Sequence, residues 1–232
     1  MFAFARAVPA PFNPRQMRVS TATPERIPEI ETLRRLTKSV AMLDAIVCPE
    51  WEYRYFSYDS KWAPGEEMAS MRDGCGNDWF LLFDRHGAAL KGLAHEYPLA
   101  SDASFAARIQ QTVPAEFSSF LKEPAFSMDM ASFCIWRRTT DNGWTVVTPA
   151  KGGVSPEDDG SADLIDVFDG NPETYRAWAV HYYDREIPAS AVEAIYEHQA
   201  LSNQLVASLN EELSLPDVLS DAMQIGYPAP EA

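Results

Sequence analysis

Trp79-Phe80-Leu81-Leu82-Phe83, preceded by the turn Asp73-Gly74-Cys75-Gly76-Asn77 and followed, after Arg85-His86-Gly87, by Ala88 to Leu93 (AALKGL), decides the fold class. A short, almost wholly apolar run bounded by glycine-rich turns reads as a strand, and its return across three residues reads as a hairpin. Working outward, Met68 to Arg72 reads as a short strand before the turn. Trp51, Tyr53 and Tyr55 alternate with Glu52 and Arg54, the period of two that marks a half-buried strand. On the other side, Phe133 to Arg138 and Trp144 to Val147 flank Asp141-Asn142-Gly143, and Asn-Gly between two such runs is a strong hairpin signal. The sum is an antiparallel β-meander of about five to six strands.

Helical patterns frame the meander. Thr23, Pro24 and Glu25 suit a helix start, and Leu33, Leu36, Val40, Leu43 and Val47 recur at 3-4-3-4 spacing until Pro49. Ser101 to Gln111 and Pro114 to Lys122 interrupt the strands with helix. In the last third, Asn171 caps a helix from Pro172 with the stripe Tyr175, Trp178, Ala179 and Tyr182. Pro188 starts another, carrying Val192, Ile195, Leu205, Val206 and Leu209, and a short one follows near Pro216. The order predicts an α+β fold with helices packed on one face of the sheet. It divides into an extended or disordered arm over 1–24, a sheet core over 25–150, and an acidic helical region over 151–232, joined by the Gly/Pro/Asp loop Lys151 to Asp163.

Charge is distributed unevenly over the 232 residues, whose formal net charge is −15. Residues 1–50 hold 7 basic and 5 acidic side chains, residues 51–150 hold 9 and 13, and residues 151–232 hold 3 and 16. A surface of that sign repels nucleic-acid phosphates and anionic membranes, and attracts basic partners. Three cysteines, Cys48, Cys75 and Cys134, make neither a disulfide framework nor a metal motif, and no apolar run nears the ~20 residues that span a bilayer. A soluble, cytoplasmic protein is expected, with no nucleic-acid or membrane partner.

The candidate site residues are Trp51, Glu52, Arg54, Trp62, His95 and Glu96. Glu52 and Arg54 fall on one face of the expected first strand, opposite its aromatics, and read as solvated surface charges. His95-Glu96 follows a strand, where a sheet-end cleft forms, yet adjacent residues on extended chain face opposite ways. Trp51, Trp62, Trp79, Trp136 and Trp144 are the aromatics available to line a pocket or fill the core. Cys75 reads as a turn residue, and His181 and His198 as boundary histidines outside any HxxxH pair. The run Glu157 to Asp163 lacks the glycine at the sixth position and the glutamate at the twelfth that a calcium loop needs. With no nucleotide, zinc or nucleophile motif, no catalytic residue, metal or cofactor is expected.

Val113 to Leu121 (VPAEFSSFL) looks like the proline-led aromatic helix of one family of immunity proteins, although here it follows the meander instead of lying near the start. The acidic balance after residue 150, the aromatic supply and the lack of a catalytic motif give the reading of a non-enzymatic binding protein that presents an acidic surface to a basic protein partner, for example of inhibitor or immunity type. The alternative is a small-molecule-binding protein or enzyme with an aromatic-lined pocket between sheet and helices.

Overall fold

The computed structural model describes residues 18–149 and 159–230. Six strands, β1 (Phe56–Ala63), β2 (Glu66–Arg72), β3 (Asp78–Phe83), β4 (Gly87–Leu93), β5 (Phe133–Arg138) and β6 (Thr145–Val146), pair antiparallel in sequence order. The fold is α+β, and the strands around the Trp79–Phe83 run and the Asn-Gly turn stand where the sequence places them.

The sheet is covered on both faces, which corrects the expectation of helices on one. In β3, Trp79, Leu81 and Phe83 point into one core and Phe80 and Leu82 into another. Five consecutive apolar residues leave a strand no polar face to turn to water. The first and larger core lies under α1 (Ile30–Val47), α4 (Ser161–Leu164), α5 (Pro172–Tyr182), α6 (Ala189–Tyr196), α7 (Asn203–Leu209) and α8 (Leu215–Ile225). The second is closed by α2 (Ala103–Thr112) and α3 (Ser118–Lys122), with Phe105, Ile109, Phe117, Phe120 and Phe126 as its filling. Each such side chain contributes about 1.5–3 kcal/mol by leaving water.

Several element boundaries differ from the sequence pattern. Pro24–Arg26 is only a 3-10 turn, and α1 starts at Ile30 because Pro28 holds Ile27 extended. The expected strand over Trp51 to Tyr55 is instead a 3-10 turn, Trp51–Tyr53, and β1 begins at Phe56. The helix expected from Pro188 to Leu209 is two, since His198 takes a left-handed conformation (φ +59°) and ends the first. Of the N-terminal arm, residues 1–17 lie outside the described residues. Val19, Ser20 and Thr21 are buried, and Arg18 pairs with Asp163 and Asp166 of the C-terminal region. Most of the Lys151–Asp163 loop also lies outside the described residues.

Candidate functional site

The site is built where α1 hands the chain to β1. Asp44, in the last turns of α1, is fully buried and accepts hydrogen bonds from the main-chain N–H of Tyr55 (3.0 Å) and Phe56 (2.7 Å). The phenols of Tyr175 (2.7 Å) and Tyr183 (3.0 Å) donate to the same carboxylate. Burial pushes the Asp44 pKa up to about 6, against the pull of those donors. By accepting the Tyr55 and Phe56 amides together, Asp44 holds the chain out of the strand before Phe56, and Trp51–Tyr53 stands as a separate turn.

Arg54 secures that turn. Its guanidinium donates to the carbonyls of Cys48 (2.9 Å) and Pro49 (2.8 Å) and grips both oxygens of Asp221 on α8 (2.6 and 3.1 Å). Its side chain is only 8% exposed. The expectation of Glu52 and Arg54 as solvated charges on one strand face is thus corrected: Glu52 is exposed on the turn, and Arg54 is a buried clamp. A bidentate guanidinium–carboxylate pair of this kind fixes geometry as well as charge.

Two cavities flank the turn. One, of about 480 Å³, is lined by Cys48, Trp51, Glu52, Tyr53, Arg54, Ser57, Arg72, Asp73, Gly74, Tyr182 and Tyr183. The other, of about 220 Å³, runs between β1 and α8 and reaches Asp59, Trp62, Met68 and Ser70. They share Trp51, Arg54, Ser57 and Arg72, so they form one trough along the outer strand. Arg72 stacks between Trp51 and Phe80, with its guanidinium 5.6 and 5.8 Å from the ring centres. Trp62 stacks on Phe126.

The structure therefore brings Trp51, Glu52, Arg54 and Trp62 to one trough. His95 and Glu96 are exposed beyond it. His95 bonds to the Oδ1 of Asn77 through its main chain (2.9 Å) and ring Nδ1 (2.8 Å), and packs on Gly76. Trp79, Trp136 and Trp144 belong to the two cores, with the indoles of Trp79 and Trp144 donating to the carbonyls of Leu164 and Pro28. Cys75 sits exposed in the β2–β3 turn, whose amides bond to Asp73. His198, its pKa lowered by burial, bonds to the Arg35 carbonyl (2.9 Å). The acidic loop reaches the described residues at Asp159, which is buried and bonded to Thr21 and Ser161. Among the described residues no group of three metal-ligating side chains comes together.

Tyr53, Arg72, Asp73, Tyr182, Tyr183 and Asp221 were not singled out from sequence as site residues. Tyr182, Tyr183 and Asp221 reach the trough only because α5 and α8 fold back to β1 from more than a hundred residues away, which local pattern does not encode. Compared with known proteins, the chain matches no family model, no curated protein and no solved structure. No described helix is long and apolar enough to cross a membrane.

Proposed function

We infer that the protein is a non-enzymatic binding protein that presents its acidic helical layer to a basic protein partner. The supporting observation is the use made of its cations. Residues 159–230 carry 13 acidic side chains and two basic ones, Arg176 and Arg185. Both are committed internally: Arg176 to the Ile187 carbonyl and Glu173, Arg185 to the carbonyls of Val47 and Leu209. Asp184, Glu186, Glu193, Glu197, Glu211 and Glu212 are exposed and join no ion pair among the described residues. Surplus charge of one sign steers a partner of the other and sets which partners are rejected.

The test is retention of basic proteins by the full chain at low and high salt, beside a Glu193→Lys/Glu197→Lys/Glu211→Lys/Glu212→Lys variant. The inference expects capture at low salt, release at high salt, and loss of capture in the variant. Equal retention by both proteins would remove the charge argument. A second reading, a small-molecule pocket, draws on the aromatic lining of the 480 Å³ cavity.

A further inference from the structure

Five large hydrophobic side chains are exposed among the described residues, and three of them, Trp51 (57%), Tyr53 (65%) and Tyr182 (44%), line the same cavity. Contiguous exposed aromatics on an otherwise charged surface mark an interaction site, since aromatics supply most of the energy at interface centres. We propose that the trough along β1 anchors an extended segment of the basic partner, one that carries arginine or lysine between apolar side chains. The charge of the expected occupant rests on the binding reading above; the location and shape of the site do not.

Three features select this occupant. The trough is long and lies on an outer strand that, among the described residues, pairs on one side only. The Tyr55 carbonyl accepts from Arg72 N–H (2.9 Å), so by the alternation of antiparallel pairing Tyr58 turns its main-chain groups away from β2. Tyr58 lines the trough but is itself buried, so an extended chain would be held by the exposed aromatics and not by pairing with β1. Charge is the second feature. Four carboxylates, Glu52, Asp59, Asp73 and Asp221, face two guanidiniums, of which Arg54 is neutralised by Asp221 and Arg72 is stacked on Trp51. An incoming cation completes that balance, whereas an anion worsens it. Third, Trp51 and Tyr53, more than half exposed, are covered only by a partner broader than a small molecule, which sites of the enclosed kind bury almost entirely.

The experiment titrates the full chain with a short synthetic peptide of alternating arginine and leucine, its glutamate-for-arginine counterpart, and N-acetyl-tryptophanamide. The readouts are affinity by calorimetry and the indole N–H resonances of Trp51 and Trp62, assigned with Trp51→Phe and Trp62→Phe. The arginine–leucine peptide should move both resonances, and Trp51→Ala, at an exposed position that leaves the core intact, should weaken its binding by about tenfold or more. If that peptide binds with unmoved indoles and full affinity in Trp51→Ala, but is lost in Glu193→Lys/Glu197→Lys, the trough proposal is overturned and the acidic layer stands. Binding of the glutamate peptide with equal affinity, or of the tryptophan amide alone, overturns the occupant. Absence of binding by every probe overturns the trough as an anchor, whatever the acidic layer retains.

Discussion

Asp44 shows how much one side chain decides. It accepts four hydrogen bonds, two from the start of β1 and two from tyrosines at and just beyond α5, with no access to solvent. A buried donor deprived of its acceptor costs about 1–3 kcal/mol, so Asp44→Ala should lose at least ~3 kcal/mol in denaturant unfolding. Loss of under about 1 kcal/mol would mean that the donors find other partners. Protonation gives a second test. Burial raises Asp44, and likewise Asp159, to about 6 in the folded chain. A raised carboxyl contributes stability that is complete below the unfolded value and lost as pH rises through the folded one. Stability should therefore increase by a few kcal/mol from about pH 8 to about pH 5. Glu67 is pushed up by burial but drawn down overall, chiefly by the Lys38 hydrogen bond, and so acts only beneath that window. His198, lowered by burial, works in the opposite sense within it. Comparing Asp44→Asn with the parent isolates the carboxyl: the variant's urea midpoint should change less with pH, and parallel curves would refute the assignment.

At the scale of elements, β4 and β5 meet through a glycine. Gly92 pairs with Phe133, and a Cβ on Gly92 would lie 2.0 Å from the Phe133 ring. Gly92→Ala must displace a fully buried aromatic between β4 and the larger core, which costs about 1–3 kcal/mol as overpacking does elsewhere. The paired variant Gly92→Ala/Phe133→Leu should recover part of that loss if the clash is the cause, and fall further if it is not. Elements of this kind were legible where the pattern was local. The Trp79–Phe83 run, the Asn142-Gly143 turn and the Asn171 cap, whose side chain accepts from Glu173 N–H at 3.1 Å, all stand as their residues require. The alternation over Trp51 to Tyr55 misled because a buried carboxylate on the preceding helix accepts both the Tyr55 and Phe56 amides, so the chain enters the strand only at Phe56. Distance along the chain hid half of the trough. Trp51, Glu52, Arg54 and Trp62 are near one another in sequence and were recognisable as a group. Tyr182, Tyr183 and Asp221 arrive only through tertiary folding, and His95, close in sequence to the β4 end, is drawn instead to Asn77.

The whole molecule is three layers sharing one sheet, and that sharing decides how it unfolds. Chains of this length often lose cooperativity, because separate cores melt separately. Here every interior strand serves both cores: β2 gives Ala69 and Met71 to one and Met68 to the other, and β5 gives Phe133 and Ile135 against Cys134 and Trp136. Melting either layer exposes one face of strands that the other still needs in register, so neither can hold the sheet alone. Phe120→Ala, in α3, and Ile195→Ala, in α6 on the far side, should each cost about 2–5 kcal/mol through the cavity they open. Both should lower a single transition seen at one midpoint by far-ultraviolet and near-ultraviolet circular dichroism. Because the sites lie on opposite faces with no shared partner, the double variant should lose the sum of the two effects. Separate transitions in Phe120→Ala, with the helical signal and the near-ultraviolet asymmetry of Trp79, Trp144 and Trp178 surviving an earlier partial loss, would show that the acidic layer and its half of the sheet stand without α2 and α3.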